Sequence, residues 1–325
     1  MRYLLIVLVL FLTGCGKKVY EPEHTVRKEI PENTQDKTLV EYTKKTLTFT
    51  KNKFKLFGSK KTYFDKEGHN LGQFIKINDD LAVKGNELYV ISQKTEYKLP
   101  FLIFSATKKN RLVAVVFENG KFGIYDLNDK KMKYVFDGDE VLSVKYLHAQ
   151  PLFYKDLVLF PLLSGSVAVV DLNNGKYIRN LNISQNQFND NVIFLKIVNN
   201  QLFMATPSKL ILFNPSYLID YKADIKHVID YNGYIYIFTV DGYIIKLNTD
   251  LKELKKVKLP YASFYAPGIC KGNIWTVEKE EYLIKITPDL NVTVYTGNGF
   301  DTDWDDELKI DGCKIYNNDK VYMIE

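Results

Sequence analysis

From about residue 46 onward the apolar residues fall in runs of five to seven, separated by Asn, Gly, Asp and Ser. Runs that short, rich in β-branched and aromatic residues and bounded by turn formers, predict strands. Arg111 to Leu127, RLVAVVFENGKFGIYDL, shows the device most plainly. A β-branched run meets an Asn119-Gly120 turn suited to positive φ, and an alternating arm follows, which predicts a hairpin. The same hairpin recurs at Leu157 to Leu172, Gln201 to Asn214, Tyr234 to Asn248, Asn273 to Ile286 and Cys313 to Glu325, with fainter copies at Lys53 to Asp65 and Asn86 to Leu99.

Marking the turns at Gly58, Lys94, Gly120, Gly165, Ser208, Gly242, Glu281 and Asp319 gives steps of 36, 26, 45, 43, 34, 39 and 38 residues. The mean, about 37, suits one four-stranded blade of a propeller. The expected fold is therefore all-β: a β-propeller over residues 46–325 with seven or eight four-stranded blades, eight preferred. The 26-residue step is too short for a whole blade. The last unit stops on its second hairpin arm, so Thr46 to Thr50 (TLTFT) is expected to supply the missing outer strand and close the ring. Closure would remove a row of unpaired N–H and C=O groups. An open β-solenoid is the competing arrangement, though its repeats are usually shorter and more regular.

Ahead of the repeats the pattern changes character. Residues 1–14, MRYLLIVLVLFLTG, carry one basic residue and an apolar run from Tyr3 to Leu12, the make-up of an export signal. The run is half of the roughly 20 residues that a permanent bilayer-crossing helix needs. Leu12-Thr13-Gly14-Cys15 resembles the lipobox of bacterial lipoproteins, which implies cleavage before Cys15 and acylation of that residue. Acyl chains would then hold the protein to a membrane by burying CH₂ groups at roughly 0.8 kcal/mol each. Residues 15–45 are charged, contain Pro22 and Pro31 and show no apolar period, so they are expected to form a flexible polar tether. Gly16, next to the lipid site, is not the aspartate that commonly retains lipoproteins in the inner membrane of enteric bacteria, which favours the outer membrane.

Composition narrows the function classes. The chain is 46% apolar and 14% aromatic, far above a disordered polypeptide. Its charge of +5, with both signs mixed along the sequence, does not argue for nucleic acid. The four histidines (His24, His69, His148, His227) lack metal-ligand spacing, so a zinc enzyme is not expected.

One unit carries a family resemblance. Gln150 to Leu181, QPLFYKDLVLFPLLSGSVAVVDLNNGKYIRNL, runs through two apolar strands about a Ser164-Gly165 turn, then Asp171-Leu172, an Asn174-Gly175 turn and a polar outer strand. It resembles the blade of the pyrroloquinoline-quinone-like propeller repeat, with weaker echoes at Ala266 to Leu290 and Glu118 to Lys131. Quinoprotein dehydrogenases share that blade but imply a calcium-held quinone, repeated docking tryptophans and often a vicinal cysteine pair. Here there are two tryptophans, Trp275 and Trp304, no adjacent cysteines, and Arg179 at the docking position. No cofactor and no catalysis are therefore expected.

Lipobox, polar tether and cofactor-free ring together resemble the lipoprotein propeller of the outer-membrane β-barrel assembly machinery, its B subunit. That resemblance implies a scaffold on the periplasmic side of the outer membrane. Its partners would be the periplasmic domains of the central barrel-assembly protein and unfolded outer-membrane proteins, with contact residues unassigned. The alternative is another surface or periplasmic propeller lipoprotein that binds a carbohydrate or a protein.

Three features carry candidate chemistry. Asp301, Asp303 and Asp305 alternate as in a calcium loop, but Asp306 and Gly312 stand where the helix-loop-helix form needs glycine and glutamate, so a solvated acidic loop is the competing reading. Cys270 and Cys313 remain as an even pair in an exported chain, open to a disulfide or to two free buried thiols. Lys252 to Lys258, KELKKVK, reads as a solvated edge strand, with peptidoglycan or anionic lipid as the alternative contact.

Overall fold

A computed structural model describes residues 18–31, 46–50, 53–57, 63–64, 70–72, 74–139, 141, 148–184, 190–214, 217–297, 308–317 and 320–324. Six units of four antiparallel strands succeed one another at 75–98, 103–136, 152–182, 194–222, 225–258 and 268–296, five as four-stranded sheets and the last within a five-stranded one. Within each, the four strands bond in chain order, so every sheet is a meander that forms one propeller blade. A three-stranded sheet (Leu308–Asp311, Lys314–Asn317, Lys320–Met323) follows, and two strand pairs precede them, Thr46–Thr50 with Lys53–Phe57 and Tyr63–Phe64 with Asn70–Gly72.

Burial follows the residue pattern. The second and third strands of a blade are continuous apolar runs, as in Leu112–Phe117 and Phe122–Asp126, and are buried on both faces. The outer strand Lys131–Phe136 alternates exposed and half-buried positions, as KMKYVF requires. Neighbouring blades share their cores: Val116, Phe122 and Ile124 of one pack with Val158, Phe160 and Val170 of the next. Each such side chain contributes roughly 1.5–3 kcal/mol on full burial. Gly165 shows why glycine sits in a second-to-third turn: its φ is +79°, and an added Cβ would stand 2.5 Å from the Asp190 carbonyl oxygen.

Three expectations need correction. Glu87–Val90 and Thr95–Lys98 are the third and outer strands of their blade, so the hairpin at Lys94 is one strand out of phase with the others. The equivalent turn is Gly85-Asn86, between Leu81–Lys84 and Glu87–Val90, and it lies 35 residues before Gly120. TEYKL alternates more regularly than the strand that precedes the short Gly85-Asn86 turn, which is why the pattern favours the wrong pairing. Lys53–Phe57 likewise pairs back with Thr46–Thr50. Thr46–Thr50 therefore does not supply the outer strand of the last blade among the described residues.

The tether is the third. Residues 18–31 lie against the ring. Val26–Arg27 adds a fifth, parallel strand to the 268–296 blade, pairing with Tyr295 and Thr296, and the Lys28 N–H donates to the Thr296 carbonyl at 3.0 Å. Tyr20 packs edge-on against Tyr282 at 5.7 Å, and Ile30 enters the core shared by the last two blades. The Pro31 carbonyl accepts from Met323 N–H, on the strand that has no outer neighbour among the described residues. Two buried apolar residues, Tyr20 and Ile30, and backbone pairing with a sheet edge dock a segment that has no period of its own.

Candidate partner-binding surface

Because the inner strands fill the interblade cores, the outer strands are free to present side chains to solvent. Tyr177 and Ile178, Tyr217 and Leu218, and Leu254 are all exposed, and all fall on the first two positions of the outer strand in three successive blades. They form a row at one rim of the ring, interleaved with cations such as Lys255 and Lys256. Rows of exposed aromatic and aliphatic side chains beside free strand edges suit a protein partner, which can add a strand and fill pockets with alternate residues.

Cross-blade contacts hold this row in place. Arg179 lays its guanidinium over the Phe213 ring of the next blade at 5.2 Å, a cation–π contact that ties the outer strand of one blade to its neighbour. The Tyr221 hydroxyl donates to Glu253 Oε2 at 2.6 Å. Burial and that carboxylate push the phenol well above its ordinary range.

A polar cavity of about 390 Å³ opens between the 152–182 and 194–222 blades, lined by Asn182, Ile183, Ser184, Ser208, Lys209 and Lys222. Asp190 accepts hydrogen bonds from the hydroxyls of Ser184 and Ser208, so the carboxylate ties together two of the lining residues. A second polar cluster bridges the 225–258 and 268–296 blades. Lys226 Nζ donates to Ser263 Oγ at 2.8 Å, while Glu278 accepts from the Ser263 N–H at 2.8 Å and the Glu280 N–H at 2.7 Å. Burial, reinforced by Lys279, lowers Lys226 to about 8, and burial raises Glu278 despite its N–H donors. His227 is fully buried, its Nε2 3.2 Å from the Phe264 carbonyl oxygen; burial, with Lys226 beside it, lowers its pKa to about 3, so the ring stays neutral and donates from Nε2. These residues work as braces between blades.

The sequence-derived candidates fall as follows. Cys270 and Cys313 are joined as a disulfide with 4.7 Å between Cα atoms, across the first-to-second turns of successive sheets. Cys15 and the acidic run holding Asp301, Asp303 and Asp305, with Trp304, lie outside the described residues. Trp275 is buried and donates from Nε1 to the Cys270 carbonyl at 3.2 Å. His148 sits edge-on to Phe104 at 4.6 Å, at a blade junction. Glu253–Lys258 is an exposed outer strand. Among the described residues no three His, Cys, Asp or Glu side chains converge as a metal-holding group. Sequence reading missed Gln150, which accepts from Asn78 Nδ2 at 3.1 Å and ties blades 72 residues apart, and it missed the exposed row.

Comparison with known proteins decides the fold. No protein-family model matches the chain. The BamB protein of Moraxella catarrhalis superposes with a TM-score of 0.61 over 94% of this chain and 100% of its own, at 12% identity. The C-terminal WD40 domain of Sif2 superposes with a TM-score of 0.62 over 94% of this chain and 100% of its own, at 11% identity. The fold is a β-propeller. By sequence, the chain is similar to plasminogen-binding protein PgbB of Helicobacter pylori, 29% identical over 66% of this chain and 40% of the strain J99 protein. The strain 26695 protein is 28% identical over 74% of this chain and 44% of its own length. The chain thus spans less than half the length of these relatives. A match that covers so much of this chain cannot fit within residues 1–45, so most of it falls on the propeller.

Proposed function

We propose that the chain is an exported propeller lipoprotein, acylated at Cys15, that holds a protein partner on the outer strands and rims of its blades and performs no reaction. The observation that carries this reading is the sequence similarity to proteins named for binding plasminogen, spread over the propeller, together with the exposed row Tyr177, Ile178, Tyr217, Leu218 and Leu254. Plasminogen is accordingly the first partner to test. Affinity in such a surface concentrates in a few aromatic and aliphatic anchors, with the surrounding cations contributing rate and orientation.

The likeness to BamB over nearly the whole chain supports a second reading, a scaffold of the outer-membrane barrel-assembly machinery facing the periplasm. Its partners would be the central assembly protein and unfolded outer-membrane barrels. Crosslinking in intact cells separates the two. Recovery of added plasminogen on this chain supports the first reading; recovery of the central assembly protein, with no plasminogen retained, replaces it by the second.

A further inference from the structure

Docking of residues 18–31 bears on how the ring meets a membrane. Three chain steps separate Cys15 from Lys18, a reach of about 11 Å at full extension. Lys18 is already at the ring, its Nζ 5.4 Å from the centre of the Tyr261 ring, and Tyr20 two residues later is buried between the 225–258 and 268–296 blades. A slack tether of some 30 residues would permit any orientation, whereas three links permit one edge.

The surface beside Lys18 is built from two loops that touch. Gly242, at φ +87°, lets the second-to-third turn of the 225–258 blade press on the next loop: an added Cβ would lie 2.2 Å from the Leu259 carbonyl oxygen. That carbonyl in turn accepts the Ala262 N–H at 3.0 Å, which closes the loop around Tyr261. Val240 and Tyr261 project from these loops, 59% and 54% exposed. A tyrosine and a valine presented together suit the headgroup boundary, where an amphipathic ring has both an apolar and a wet side.

We infer that the 18–31 strap orients the ring on the membrane and that the surface around Val240 and Tyr261 faces the lipid bilayer. The inference rests on acylation of Cys15, part of the function proposed above. Charge contributes little. Asp241 pairs with Lys258 at 3.9 Å, and Glu21 and Glu23 follow Lys18 in the strap, so the contact depends on the acyl anchor and the two side chains and is insensitive to salt.

The test uses hydrogen–deuterium exchange on the full mature chain in phosphatidylcholine vesicles against the same chain in detergent. Slower exchange at 239–242 and 259–262 on vesicles, with 128–131 and 154–157 at the opposite turns unchanged, is the expected result. Tyr20→Ala with Ile30→Ala should abolish the slowing while core strand Leu112–Phe117 keeps its protection, which shows that the ring remains folded. Unchanged exchange at 239–242 and 259–262, equal slowing at both ends, or slowing that survives strap release would overturn the inference. Intact mass of the chain from native membranes reports acylation separately. A parallel arm, with Cys15 coupled chemically to a maleimide phospholipid, decides the orientation even where native Cys15 carries no acyl chain.

Discussion

Acidification should weaken this propeller through one buried imidazole. His227 is lowered from an ordinary 6.5 to about 3 by burial and by Lys226, so the folded ring stays neutral while the unfolded chain takes up a proton below pH 6.5. The unfolded state then binds more protons, and stability falls as pH falls through that window. At 1.36 kcal/mol per unit, moving from pH 7 to pH 5 costs about 2 kcal/mol from this residue. Glu278 acts in the opposite direction: its raised pKa means that acidification down toward 4.5 favours the folded state. Asp80 is pushed up by burial but held below its ordinary value overall by Lys108 and Ser92, so it loses stability only at more acid pH. Urea denaturation at pH 7 and pH 5, for the wild type and for His227→Gln, isolates the imidazole. The glutamine amide can still donate to the Phe264 carbonyl, and the variant should lose about 2 kcal/mol less than the wild type between the two pH values. Equal acid sensitivity in both proteins would refute the reasoning.

The Cys270–Cys313 bond closes a loop of 43 residues, which in the chain-entropy model stabilises by about 4 kcal/mol; Cys270→Ala with Cys313→Ala should lower the denaturation free energy by that order, and an unchanged midpoint would count against it. Gly165→Ala places a Cβ against the Asp190 carbonyl at positive φ and should destabilise by about 1–3 kcal/mol, clearly more than Gly312→Ala, whose Cβ meets no atom within 4 Å; calorimetry of the two variants checks the order.

Much of the ring was legible because a blade's inner strands are continuous apolar runs and its turns carry glycine, so period and phase could both be read. The even cysteine pair left a disulfide open, and the structure joins Cys270 and Cys313 at like positions in successive sheets. Phase misleads at Lys94, where TEYKL alternates more regularly than the strand before Gly85, so an outer strand there has the pattern of an inner one. The strap was illegible for a different reason: Tyr20, Val26 and Ile30 follow no period, and its pairing is through the backbone. The braces were hidden because Asn78–Gln150 and Lys226–Ser263 join residues 72 and 37 apart, and no local pattern marks such pairs. Of the candidate surface, a signal was present: tyrosine directly ahead of an aliphatic residue at the start of the outer strand in NNGKYI and NPSYLI, and a leucine among the charges of KELKKVK.

Direct binding of plasminogen to the full chain, carried on vesicles and measured by surface resonance, tests the central claim. Saturable binding that weakens at least about tenfold in the Ile178→Asp, Leu218→Asp double variant, with its urea midpoint unchanged, is the result expected for hot-spot anchors on the outer strands, where these two side chains are 47% and 53% exposed. Absence of binding, or binding indifferent to both substitutions, would contradict it.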